Sequence, residues 1–157
     1  HGARVLISEL LPKKLETAKA CGLETIDAGS VDPVQEVMRR TDGRGADVVI
    51  LAVGAQAATD QAFEMIKEKR GRVLLFAASY PSPKISLDVN TLHYRKIDLV
   101  GTFGADHVDF QAAADAINRG NIDFSPVIEA RFPFSAMEDA MKAACEPGAY
   151  RVSVQME

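Results

Sequence analysis

Short apolar runs alternate along this chain with longer stretches in which apolar residues recur every three or four positions. Residues 4–8 (Arg-Val-Leu-Ile-Ser), 47–53 (Asp-Val-Val-Ile-Leu-Ala-Val) and 72–76 (Arg-Val-Leu-Leu-Phe) are nearly continuous apolar runs. Such runs mark strands covered on both faces, as in a parallel sheet. Residues 97–103 form a further strand, and Thr25-Ile-Asp27 is short enough to be another. Residues 127–132 alternate, and residues 150–155 close the chain as a last strand.

Helical spacing fills the gaps. Pro12 opens a helix whose apolar positions are Leu11, Leu15, Ala18 and Cys21, and Gly22 stops it. Asp32-Pro33 reads as a cap and first position, with Val34, Val37 and Met38 facing inward up to Arg40. Further helices are expected over residues 57–69, broken by Gly71, and over residues 108–119, stopped by Gly120. Ser135 and Glu138 have capping-box spacing before a helix reaching about Cys145. Thr41–Gly45 is a turn cluster, and Pro81 and Pro83 keep residues 80–84 in a loop. Strand–helix alternation of this kind predicts an α/β fold, a Rossmann-type doubly wound parallel sheet with right-handed crossovers.

Length and charge narrow the picture. The 157 residues allow one domain. They carry 18 Lys and Arg against 22 Asp and Glu, a net charge of −4, which disfavours a nucleic-acid partner. Cys21 and Cys145 lack metal-ligand or disulfide spacing and read as small buried hydrophobes. No apolar run reaches the ~20 residues of a membrane span and no signal peptide is visible, so a reduced cytoplasmic setting is expected.

Ligands of a doubly wound sheet sit beyond the carboxyl ends of its strands. Glu9 follows the first strand directly. An acid there can accept both hydroxyls of an adenosine ribose and repel a 2′-phosphate, which favours NAD over NADP. The alternative is a carboxylate that merely complements the positive end of the next helix. Lys14, five residues on, could reach the adenosine from the first turn. No G-x-G-x-x-G turn is present; Gly43-Arg-Gly45 leads into a strand, and there is no P-loop.

Four segments in order resemble the zinc-binding medium-chain dehydrogenases: residues 2–12, residues 41–54, residues 71–76, and residues 93–104 with the run His-Tyr-Arg-Lys-Ile-Asp-Leu-Val-Gly-Thr-Phe-Gly. The sorbitol and threonine dehydrogenase branches are the most similar. The resemblance implies that Glu9 holds the adenosine ribose with Lys14 beside it. It implies that Val53 and Gly54 border the adenine and the nicotinamide-side ribose. Backbone around Phe76, Ala77 and Ala78 would meet the nicotinamide, backbone at Thr102 and Phe103 the carboxamide, and Arg151 the pyrophosphate. Core packing is the alternative for Val53, Phe76 and Phe103, and a solvated strand position is the alternative for Arg151.

The same resemblance implies a zinc-dependent alcohol or polyol dehydrogenase using NAD. This chain would be its incomplete cofactor-binding domain, over residues 1–157. The catalytic zinc domain, the first strand and the glycine-rich turn would lie outside it, and His1-Gly2-Ala3 reads as the end of a preceding helix. An isolated chain would then expose strand edges and be poorly stable, or would borrow the missing strand from a partner or from further residues. No residue here is assigned to catalysis or metal binding. The strand from Ile97 to Phe103 implies a homodimer or homotetramer.

Two other classes stay open: a different Rossmann enzyme that binds S-adenosylmethionine, and a non-catalytic assembly module. Tyr80 and Lys84 match the Tyr-x-x-x-Lys spacing of short-chain dehydrogenases, but Pro81 and Pro83 forbid the helix that chemistry needs. His93 and His107 lack companion ligands, and Lys67–Arg70 reads as a solvated helix end.

Overall fold

The computed structural model describes residues 2–156. Its elements alternate as expected, but the parallel sheet is divided into three separate pieces. The chain forms two compact units: one runs to Thr25 and resumes at Ala105, and the other covers Ile26–Gly104.

In the first unit, β1 (Leu6–Glu9) leads into α1 (Pro12–Ala20); β2 (Glu24–Asp27) follows and crosses the boundary between the units after Thr25. Pro12 is the first helical residue of α1, and Leu15 and Ala18 are buried. Arg4 binds the Glu24 carboxylate through two guanidinium nitrogens, at 2.5 and 2.8 Å. Gly2 and Ala3 are not helical, against the expectation of a helix end there, and His1 lies outside the described residues. Later in the chain come α5 (His107–Asn118), a 3₁₀ turn at Ser125–Val127, β6 (Ile128–Pro133), α6 (Met137–Ala144) and β7 (Arg151–Gln155). β6 and β7 are parallel, and the register shifts between Ile128 and Ala130, leaving Glu129 as the extra residue of a β-bulge.

The second unit holds α2 (Pro33–Arg40), β3 (Val48–Leu51), α3 (Gln56–Met65), β4 (Arg72–Leu75), α4 (Val89–Arg95) and β5 (Asp98–Gly101). Asp32 caps α2 by accepting the Val34 and Gln35 N–H groups at 2.8 and 3.4 Å. β3, β4 and β5 form a parallel sheet in that order. Leu51 and Val73 on one face pack with Ala62 and Ile66, and Val73 is fully buried. On the opposite face Val48 and Ile50 are 49% and 58% exposed, so the expectation of strands covered on both faces fails for β3. Arg72 and Asp98, register partners on that face, form an ion pair at 2.8 Å.

Several local expectations change. α3 ends at Met65 rather than Lys69, because Ile66 turns extended and bridges to Ala46 while its side chain enters the core. Lys67–Arg70 is therefore not a helix end, and Lys67 pairs with Asp47 at 2.6 Å. Gly71 is required by space: a Cβ there would lie 2.2 Å from Ile66 Cγ1. The Ser135–Glu138 capping box does not form, since α6 starts at Met137 behind a 3₁₀ turn and Ala136 makes no side-chain cap. Cys21 and Cys145 are exposed, not buried: each terminates a helix whose apolar stripe has already ended. Helix α4, capped by Asp88 through the Asn90 N–H, was not expected at all.

Ile66 fills the center of this core, so Ile66→Ala should lower unfolding free energy by about 2–5 kcal/mol. Gly71→Ala should cost about 1–3 kcal/mol through overpacking against Ile66. Urea denaturation of each variant checks both values.

Candidate functional site

The expected site residues are divided between the two units. In the first unit, Glu9 stands at the carboxyl end of β1 and is partly buried. Its Oε1 accepts the Leu10 N–H at 2.7 Å and the Leu11 N–H at 3.1 Å. These donors precede α1, and Pro12 contributes none, so the carboxylate occupies the positive end of the helix. Its second oxygen makes no hydrogen bond among the described residues. The helix-complementing role and a free acceptor thus coexist in one side chain.

The first turn of α1 carries Lys13 and Lys14, charges that the helix dipole disfavours there. Glu129 offsets this. Its bulge position aims the carboxylate at the ammonium of Lys13, with which it forms a hydrogen-bonded ion pair. Its other oxygen accepts the Tyr150 N–H at 2.8 Å. Lys13, and secondarily the Tyr150 N–H, hold the Glu129 carboxyl below the usual carboxylate range. The Lys13 and Lys14 ammonium groups each lie 6.0 Å from the center of the Tyr150 ring, at the outer limit of cation–π attraction. Arg151 begins β7 and is exposed; with Val127, Ala149 and Tyr150 it lines a cavity of about 350 Å³. Glu9, Lys14 and Arg151 were expected; Lys13, Glu129 and Tyr150 were not.

In the second unit, the carboxyl ends of β3 and β4 open onto a cavity of about 200 Å³. Val53, Gly54, Ala77 and Ala78 all line it, as do Thr59 and the loop residues Ser79, Ser82, Pro83 and Ile85. The Phe76 and Ala77 N–H groups donate to the Leu51 carbonyl at 3.1 and 2.9 Å, fixing the exit from β4. Gly54 is a close-approach glycine: a Cβ would stand 2.1 Å from Ser79 Oγ, which donates to the Gly54 carbonyl at 2.8 Å. Thr102 follows β5, and both its N–H and its hydroxyl donate to the Leu75 carbonyl at 3.2 Å.

Phe76 and Phe103 do not line the cavity. Val53, Phe76 and Phe103 are 55%, 65% and 104% exposed, so the core-packing alternative is wrong for all three. The loops leave these side chains beyond the ends of the strands, past the reach of the α3 core. Residues 80–84 form no helix, which removes the Tyr80/Lys84 reading. Among the described residues no group of three or more His, Cys, Asp or Glu side chains could hold a metal ion. No helix among them is long and apolar enough to cross a membrane.

Parallel strands joined through helices, with loops gathered at their carboxyl ends, define a Rossmann-like α/β fold. The family model described as zinc-binding dehydrogenase matches residues 1–119, and the chain belongs to that family. It is 30% identical to 2-dehydro-3-deoxy-L-galactonate 5-dehydrogenase of Pseudoalteromonas atlantica over 139 residues, 88% of this chain and 40% of that protein. It is 28% identical to a sorbitol dehydrogenase of Halalkalibacterium halodurans, over 91% of this chain and 42% of that protein. The chain therefore spans about two fifths of the length of these curated relatives. Among solved structures, an alcohol dehydrogenase from Thermus sp. ATN1 superposes with a TM-score of 0.85 at 22% identity, covering 99% of this chain and 44% of that one. The family match does not favour the S-adenosylmethionine alternative.

Lys13 and Tyr150 lower the folded-state pKa of Glu129, so its contribution to stability is complete above the ordinary carboxyl value of 4.5 and fades as the pH falls through the lowered value. Glu129→Gln should therefore be less stable than wild type at neutral pH and indistinguishable from it once the wild-type carboxyl is protonated. Denaturation midpoints across an acid pH series check this.

Proposed function

We propose that this chain is the nicotinamide-cofactor-binding part of an NAD-dependent dehydrogenase that oxidises a secondary alcohol or polyol. In this reading residues 1–157 are one incomplete dinucleotide-binding domain. The segment with the glycine-rich turn and the catalytic zinc domain lie outside the chain. The observation that carries the reading is Glu9, a carboxylate at the end of β1 with one oxygen locked on backbone N–H groups and the other free to accept.

That donor set suits a ribose diol. A fixed carboxylate accepts hydrogen bonds from vicinal hydroxyls, and its charge opposes a 2′-phosphate. In the same unit Lys14 is assigned beside the adenosine ribose and Arg151 to the pyrophosphate. In the second unit Val53 and Gly54 are assigned to the border of the adenine and the nicotinamide-side ribose, backbone around Phe76, Ala77 and Ala78 to the nicotinamide, and backbone at Thr102 and Phe103 to its carboxamide. Backbone groups at these positions would orient a flat ring, and the cavity lined by Val53, Gly54, Ala77 and Ala78 would receive part of it. Bound NAD supplies a ring that accepts hydride from the alcohol carbon.

Among the described residues no cluster of His, Cys, Asp or Glu could hold zinc, so the catalytic metal is assigned to residues outside this chain. The relatives named for polyol and alcohol substrates support the substrate class. β5 is the outer strand of its sheet, and a homodimer or homotetramer is assigned to that edge.

The full-length protein should bind NAD in preference to NADP. Glu9→Ala should weaken NAD binding roughly 10- to 100-fold, the value of a charged hydrogen bond, and narrow the preference. Titration calorimetry with both cofactors measures this; equal affinity of variant and wild type would sink the reading. A parallel assay with a secondary alcohol should lose turnover on chelation.

A further inference from the structure

The segment between β4 and α4, residues 76–88, has no secondary structure of its own, and its middle forms one wall of the 200 Å³ cavity. A loop this long in a compact unit is ordinarily either disordered or functional. Here it is fastened near both ends of its wall-forming part. At one end Ser79 Oγ donates to the Gly54 carbonyl. At the other, the side-chain amide of Gln56, the first residue of α3, grips the backbone of Lys84. Gln56 Oε1 accepts the Lys84 N–H at 2.8 Å, and Gln56 Nε2 donates to the Lys84 carbonyl at 2.8 Å.

The same Nε2 donates to Asp60 Oδ1 at 2.9 Å, which sets the amide orientation from one turn further along α3. Gln56 thus imitates a strand partner for Lys84, offering one acceptor and one donor to a single peptide residue. Between the two fasteners lie Pro81 and Pro83, which restrict the backbone, so fixing the ends fixes the wall. Gln56 itself does not line the cavity.

We infer that Gln56 is a positioning residue: by clamping Lys84 it holds the loop Ser79–Ile85 as the wall against which the nicotinamide half of the cofactor is seated. This rests on the NAD-binding reading above. Gln56→Ala removes both bonds to Lys84 and leaves Gly54, Ala77 and Ala78 untouched. Gln56→Glu retains the acceptor for the Lys84 N–H but loses the donor to its carbonyl.

The experiment compares NAD with ADP, which lacks the nicotinamide half, on full-length wild type and both variants. Gln56→Ala should raise Kd for NAD about three- to tenfold and leave Kd for ADP unchanged, with Gln56→Glu in between. Limited proteolysis without ligand should cut residues 79–85 faster in Gln56→Ala. Unchanged NAD affinity, equal weakening of NAD and ADP, or unaltered proteolysis would each overturn the inference. Failure of wild type to bind NAD at all would instead overturn the functional reading beneath it.

Discussion

Parallel strands in register finish at the same edge of their sheet, and this constraint organises the second unit. β3, β4 and β5 pair without a slip, from Val48 opposite Arg72 and Asp98 to Leu51 opposite Leu75 and Gly101. The chain must leave each strand at that edge and return along a helix or loop to the other end. The loops after Leu51, Leu75 and Gly101 are thereby gathered with no need for contacts of their own. Burial of Val73, Leu51, Ala62 and Ile66 keeps the strands in place behind them. The cavity at Gly54 and Ala77 is a consequence of that topology, and the Ser79 and Gln56 hydrogen bonds give it a defined shape.

In the first unit charged groups order the start of α1, beside the buried Leu15 and Ala18. A helix that opens with Pro-Lys-Lys places two cations where its own dipole is positive. Carboxylates from outside the helix compensate: Glu9 on the N–H groups before it, and Glu129 on Lys13. The bulge in β6 supplies the geometry, because an unpaired strand residue is free to aim its side chain away from the ladder. Each such exposed pair is weak alone. Here the same carboxylate also takes the Tyr150 N–H, so one group orders a helix start and a strand entry.

Most elements were legible because their signals are local. Pro12 and Asp32-Pro33 mark helix starts by chemistry that needs no partner, and Gly22 marks a stop by its φ of +76°. What failed depended on neighbours distant in sequence. Nothing in the residues around Ile66 announces that it leaves the helix to fill a core beside Val73. The spacing of Ser135 and Glu138 satisfies a capping rule that the 3₁₀ turn overrides. α4 was hidden by its shortness and weak apolar pattern, although Asp88 two residues before Asn90 was a readable cap. Of the candidate site, Glu9 is readable from topology, whereas the residues after the later strands, from Val53 to Phe103, come only from the family resemblance. Lys13, Glu129 and Tyr150 meet only through a register shift that the sequence does not display.

The outward face of β3 has a different consequence. Val48 and Ile50 are left half open to water, and the nearest relief on that face is the Arg72–Asp98 pair, one strand over and two strands over from Val48. Opposite charges set into an otherwise apolar face raise the cost of burying that face against another chain, because both would have to leave water. The pair keeps that face partly polar while contributing little to the folded core, since exposed ion pairs are weak.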